Sequence, residues 1–98
     1  MFESVDWSFR GQYMLLRHWV TPSIANDALA DPDRVVINSD YSSVSGRSMR
    51  VIGFSRIAES LITVIVLIEG DVAYGVNGWQ ANERDQRIYL EGGDDERA

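Results

Sequence analysis

An α+β fold is the class predicted by this 98-residue sequence, with two N-terminal helices, a mainly antiparallel sheet of about four strands and a C-terminal helix. Three features lead to it. Apolar side chains recur at helical intervals before Asp33, short β-branched runs separated by Ser, Asp and Gly follow, and helical spacing returns after Asn77. A chain of this length supports one modest hydrophobic core. Residues 1–90 are therefore expected to form a single compact domain, and residues 91–98 an acidic, flexible tail.

The stretch "VDWSFRGQYMLLRHWV" reads as a short strand at Val5 to Trp7 that becomes a helix near Ser8. Phe9, Tyr13, Leu16 and Val20 are spaced at three or four, which places them on one apolar helical face, and Gly11 weakens the helix. In "VTPSIANDALADPD", Thr21 can cap, Pro22 suits the first helical position, and Ile24, Ala25, Ala28 and Leu29 form a narrow apolar stripe. Pro32 stops this second helix, and the faces around Asp27 and Asp31 are expected in solvent.

The strands come next. "RVVINS" is short and β-branched, whereas "DYSSVSGRS" reads as a polar loop, because Ser, Asp and Gly favour local backbone hydrogen bonds over ladders. "MRVIGFSR" alternates, opposing Arg50, Ile52 and Phe54 to Val51, Gly53 and Ser55. "LITVIVLIE" is apolar on both alternating faces, which predicts the central strand, packed on helices on one side and at least partly covered on the other. "EGD" turns it into "VAYGVN" as an antiparallel hairpin. Last, "NGWQANERDQRIYL" predicts a helix from Asn77 or the nearby turn, with Ala81, Arg84 or Asp85, and Ile88 near one spiral face. Trp79, Ala81, Ile88 and Tyr89 are the residues expected to cover the sheet edge.

Composition excludes several chemistries. Without cysteine there are no disulfides, thiolate metal sites or cysteine nucleophiles. A single histidine, no HExxH, no phosphate-cradling glycine loop and no nucleotide fingerprint give an expectation of no metal and no cofactor. The net charge is −6, but the tail "EGGDDERA" holds four acids and one arginine, leaving −3 for residues 1–90. That weakens the case against an anionic partner. All nine basic side chains are arginine, a rigid fork suited to phosphate or carboxylate, although genome composition accounts for this equally well. The longest apolar run, "SLITVIVLIEG", is too short for a membrane span and no leader pattern opens the chain, so the expectation is a cytoplasmic protein without membrane contact.

His18, in "LLRHWVTP", is the one side chain of a type that exchanges protons near neutral pH, and Arg17 precedes it. A base beside an arginine suits metal-independent RNA cleavage: the base activates the ribose 2′-hydroxyl and the arginine holds the five-coordinate transition state. Structural anchoring at the helix end is the competing reading of His18. Arg47 and Arg50 flank the start of the third apolar strand, and Arg84 and Arg87 occupy successive turns of the last helix. These arginines can reach RNA phosphates, or pair locally with Glu83 or Asp85, or bind an acidic partner. Trp19, Tyr41, Trp79 and Tyr89 can stack on unpaired bases or pack in a core or interface.

The ordered stretches "RHWVTPSIANDALADPDRVV", "RVIGFSRIAESLITVIVLIEGD" and "VNGWQANERDQRIY" resemble, over Arg17 to Tyr89, a divergent member of the BrnT-type toxin family. The resemblance implies a RelE-like fold, toxicity through RNA cleavage that inhibits translation, and a cognate protein antitoxin of a type II toxin-antitoxin pair, with DNA contacted only through that antitoxin. By position, Arg17 and His18 match the family's basic-His pair, Arg50 a basic residue entering the "IG" strand, and Ala81, Glu83 and Arg84 the terminal-helix signature. The candidate catalytic group is His18, Arg17 and Arg50, and the candidate substrate-binding group Arg47, Trp79, Arg84 and Arg87. Gly78 and Trp79 depart from the pattern, standing where the family often has a small residue followed by arginine. A local positive charge is thereby exchanged for an aromatic ring, which puts the RNase reading in doubt more directly than the distant tail does. The alternatives are a noncatalytic protein-interaction module or inactive toxin homologue on the same scaffold, and an unrelated small α+β binding domain. An antitoxin, where present, is expected to cover the arginine-bearing surface and the exposed aromatics.

Overall fold

Beyond Asp33 the side chains change from helical to alternating spacing, and there the chain leaves two short helices and enters a sheet. The computed structural model describes residues 5–38 and 47–92. The elements are α1 (Gly11–His18), α2 (Pro22–Leu29), β1 (Val35–Ile37), β2 (Ser48–Ser55), β3 (Ser60–Glu69), β4 (Val72–Gln80) and α3 (Glu83–Leu90). The strands lie in the order β1-β2-β3-β4 with every neighbouring pair antiparallel. This is the α+β architecture expected from the pattern. Most of the polar loop, Tyr41 and residues 93–98 of the tail lie outside the described residues. Among the described residues, no helix is long and apolar enough to cross a membrane.

Alternation along β2 and β3 assigns two faces. Val51, Ile62, Val64 and Val66 point to one side and join Met14, Val20, Ala25, Ala28 and Leu29 in the buried core beneath α1 and α2. Burying each such aliphatic side chain contributes about 1.5–3 kcal/mol. Gly53 in β2 is where α2 comes closest: a methyl there would fall on the Ala28 carbonyl oxygen, far inside contact distance. Thr21 caps α2 through Oγ1, accepting from the Ile24 N–H at 3.1 Å, with Pro22 at the first helical position.

Two expectations need correction. Phe9, Tyr13, Leu16 and Val20 do not share one face: the first three side chains are 75%, 43% and 73% exposed, whereas Val20 is buried. Only Gly11 and Met14 are buried within the helix, and Val20 packs from the turn beyond it. The reason lies in Gly11, whose missing side chain lets the helix rest on Trp7 and Pro22. Spacing alone cannot say which of two apolar stripes faces inward.

The second correction concerns the C-terminal helix. Asn77, Gly78 and Trp79 belong to β4, and α3 begins only at Glu83, capped by Asn82, whose side chain accepts from the Asp85 N–H at 2.9 Å. Trp79 thus sits on a strand. The short strand expected at Val5–Trp7 is a single parallel bridge, Asp6 to Tyr74, running along the outer edge of β4.

Candidate functional site

The second sheet face carries the polar and aromatic side chains, and a bulge in β4 determines which ones. Ile65 pairs with Asn77 and Val66 with Gly75, so Val76 is an extra residue opposite the junction. Tyr74 and Trp79 are five positions apart and would face opposite sides of a regular strand. The bulge restores both to the side shared with Leu67, Ile65 and Thr63, their neighbours on β3. Arg10, reaching from the start of α1, donates from Nε to the carbonyl of Val76 at 3.2 Å and holds the bulge at the sheet edge.

Trp79 joins two of the residues singled out from the sequence. The His18 ring lies 5.6 Å from its centroid at an interplanar angle of 55°, and the Arg50 guanidinium carbon lies 5.5 Å from the same ring. Both contacts fall within the range where aromatic and cation–π attraction operates. Arg50, however, is only 3% exposed, and its Nη1 donates to Asp85 Oδ2 at 2.6 Å. The same carboxylate oxygen accepts from Thr63 Oγ1 at 2.7 Å. Asp85 is the only buried residue of α3, so this helix is fixed to the sheet by a charge rather than an apolar stripe.

The remaining candidates are dispersed. Arg17 is exposed in the last turn of α1, next to His18. Arg47 lies near the other end of the sheet, 3.7 Å from Glu69 in an exposed pair. Arg84 and Arg87 are exposed on α3, one turn apart. His18, Trp79 and Arg50 are thus brought together, with Arg17 next to His18 in sequence, while Arg47 pairs with Glu69 and Arg84 and Arg87 lie exposed on α3.

Two depressions lie along the edge of the sheet, one beside His18 and one toward the far end of β3. One, of about 230 Å³, is lined by His18, Trp19, Ser60, Ile62 and Gln80 among others. The other, of about 470 Å³, lies between the start of α1 and the sheet and includes Phe9, Arg10, Leu67, Glu69 and Tyr74. The Phe9 and Tyr74 rings are 5.9 Å apart and tilted by 60°. Sequence reasoning did not single out this aromatic cleft, because its members come from α1, β3 and β4 and meet only after the bulge. Among the described residues, no three His, Asp or Glu side chains are grouped to hold a metal ion.

Asp27 in α2 and Asp31 just beyond it, expected in solvent, are partly exposed and also serve as acceptors. Asp27 takes the Ser55 hydroxyl and the Ile57 N–H, both at 3.0 Å, and this backbone bond is the main cause that holds its carboxyl below the ordinary range. Asp31 accepts from the Phe54 N–H at 2.8 Å and the Tyr89 hydroxyl at 2.7 Å. Burial opposes its charge, but these donors, the Asp33 N–H and the Arg34 charge outweigh burial and lower its pKa. Tyr89 responds in the opposite sense: burial first, then the bond to Asp31, pushes its phenol up to about 12. The network ties α3 to the end of α2 and explains why those carboxylates stand where they do.

No protein-family model matches the chain, and no curated protein matches it, so the assignment of function rests on the arrangement of these side chains.

Proposed function

We propose that the chain is a toxin of a type II toxin-antitoxin pair, a metal-independent endoribonuclease of RelE-like fold that inhibits translation and is neutralised by a protein antitoxin. The observation that carries this reading is the contact of His18 with Trp79 at the edge of a sheet face bearing further aromatic rings and arginines. An imidazole beside an aromatic platform can take the proton of a ribose 2′-hydroxyl while the neighbouring base stacks on the ring. The 2′-oxygen then bonds to phosphorus, the bond to the 5′-oxygen breaks, and the proton returns to that leaving oxygen, giving a cyclic phosphate and a 5′-hydroxyl. Arg17, the exposed arginine next to the base in sequence, offsets charge on the five-coordinate phosphate in this reading. Arg50 works from behind Trp79, orienting the ring rather than touching RNA.

A second reading, a noncatalytic interaction module on the same scaffold, draws on one specific observation: the charge of Arg50 is already engaged by Asp85 within the fold. Brief controlled expression of wild type and His18→Ala, in cells lacking the antitoxin, separates the two readings through intact cellular RNA. Rapid cleavage by wild type alone supports the ribonuclease with His18 at its centre. Cleavage by both proteins keeps the ribonuclease and removes the role of His18. Intact RNA with both, at equal soluble folded levels, favours the interaction module.

A further inference from the structure

The outward face of α1 has no covering element among the described residues. Phe9, Tyr13, Leu15, Leu16 and Trp19 are 75%, 43%, 38%, 73% and 84% exposed; Phe9, Tyr13 and Leu16 follow one another at helical spacing along one side, with Leu15 and the C-cap residue Trp19 on its adjoining flank. At roughly 150–250 Å² for a whole aromatic side chain, these fractions leave on the order of 500 Å² of exposed apolar surface along this helix. That is near the upper end for the largest patch on a monomer, and more than half of the ~800 Å² that each partner contributes to a standard interface. The backbone adds a second sign. Trp19 holds a left-handed conformation, φ 63°, which is unfavourable for a bulky residue and keeps its ring in solvent.

Charge identifies what this face accepts. Within "FRGQYMLLRHW" there are two arginines, a histidine and no acid, in a chain of net charge −6. Two copies meeting through α1 would set Arg10 and Arg17 against arginines of the other copy in either orientation, a like-charge contact that opposes pairing. The solvent side of α2 offers Ser23, Asn26 and Ala30, and the tail "EGGDDERA" has acids without apolar anchors, so neither supplies a complement. Aliphatic Leu15 and Leu16 give a nucleobase nothing to pair with or stack on.

We propose that the outward face of α1, formed by Phe9, Tyr13, Leu15, Leu16 and Trp19 between Arg10 and Arg17, is a docking surface for an acidic amphipathic helix presented by a partner protein. Three turns of such a helix, apolar at positions i, i+4 and i+7 and acidic on the flanks, match the ~15 Å from Phe9 to Trp19. The surface adjoins the sheet face assigned to RNA at Phe9, whose ring lies 5.9 Å from that of Tyr74, and the inference does not depend on RNA cleavage. Because Trp19 also lines the depression beside His18, an occupant that covers Trp19 narrows access to the imidazole.

The test is selection of an 18-residue peptide library without charge bias on the immobilised full-length chain, followed by binding of the enriched peptides to wild type, Leu16→Gln and Arg17→Glu. These substitutions lie on exposed positions, and circular dichroism checks that each variant is folded. The expected result is enrichment of acidic peptides with helical apolar spacing, at least tenfold weaker binding to Leu16→Gln, and recovery of binding to Arg17→Glu when peptide glutamates are exchanged for lysine. Enrichment of basic or uncharged peptides, binding indifferent to Leu16→Gln, or no enrichment overturns the proposal. So does a wild-type dimer in sedimentation that Leu16→Gln dissociates, which assigns the face to a second copy. Binding of oligouridylate that Leu16→Gln abolishes assigns it to RNA and likewise overturns it.

Discussion

Replacing Arg50 with methionine removes one half of the charge pair that holds α3 to the sheet while keeping most of the side-chain volume. The pair is almost completely shielded, with side chains 4% and 0% exposed and 2.6 Å between Nη1 and Oδ2. Breaking such a pair from one side costs about 3–5 kcal/mol, because the remaining carboxylate stays in the interior without its counter-charge. A chain of this size has a total stability of roughly 5–15 kcal/mol, so the loss is a large share of it. With a urea slope of about 1–2 kcal/mol per molar, the unfolding midpoint of Arg50→Met should fall by roughly 1.5–5 M. The double variant Arg50→Met/Asp85→Leu removes the stranded charge and should recover all but about 1–2 kcal/mol, the residue being the Thr63 hydroxyl that loses its acceptor. Urea denaturation followed by tryptophan fluorescence and by far-ultraviolet circular dichroism measures both. A loss under 1 kcal/mol for the single variant, or a double variant no more stable than the single, would refute the claim that this pair anchors α3. The double variant also allows RNA cleavage to be assayed without Arg50 in a folded protein.

Other expectations follow from individual contacts. Gly53→Ala must displace α2 from β2, and a loss of about 3 kcal/mol or failure to fold is expected; a thermal midpoint within 2–3 °C of wild type, a shift worth less than about 1 kcal/mol, would show that the helix yields easily. Tyr89 keeps its proton to about pH 12 in the fold but loses it near its ordinary value of 10.0 when unfolded, so its contribution is complete below pH 10 and disappears between pH 10 and 12. The effect is at most about 2 kcal/mol, given the partial exposure of the ring, and Tyr89→Phe should flatten that limb of a stability–pH curve. Asp31 runs the other way: its lowered pKa stabilises above about pH 3.8 and is lost on acidification, and without the Tyr89 donor that acid limb should move to higher pH. Trp19→Gly relieves the left-handed backbone and should leave stability unchanged or raise it by up to about 1 kcal/mol in urea titration. A clear loss there would mean that the exposed ring contributes to the fold.

The order of elements was legible in the sequence wherever one local rule acted alone. Thr21 and Pro22 mark the start of α2 because a cap and a fixed φ are local properties, and the alternation in "MRVIGFSR" and "LITVIVLIE" assigns β2 and β3 because side-chain period does not depend on the partner strand. Composition likewise excluded cysteine chemistry outright. Three features belonged to the tertiary structure. Phe9, Tyr13 and Leu16 were recognisable as a stripe, but only the seat of Gly11 against Trp7 and Pro22 turned that stripe outward. Trp79 was drawn toward the last helix by its neighbours, yet pairing with Thr63 kept it in β4, and the extra residue Val76 placed it on the same face as Tyr74. Arg50 and Asp85 are 35 residues apart, and neither residue type predicts burial until the sheet and α3 bring them to 2.6 Å. Local patterns record which conformation each segment prefers, whereas facing, register and charge pairing are set by contacts between segments distant in the chain.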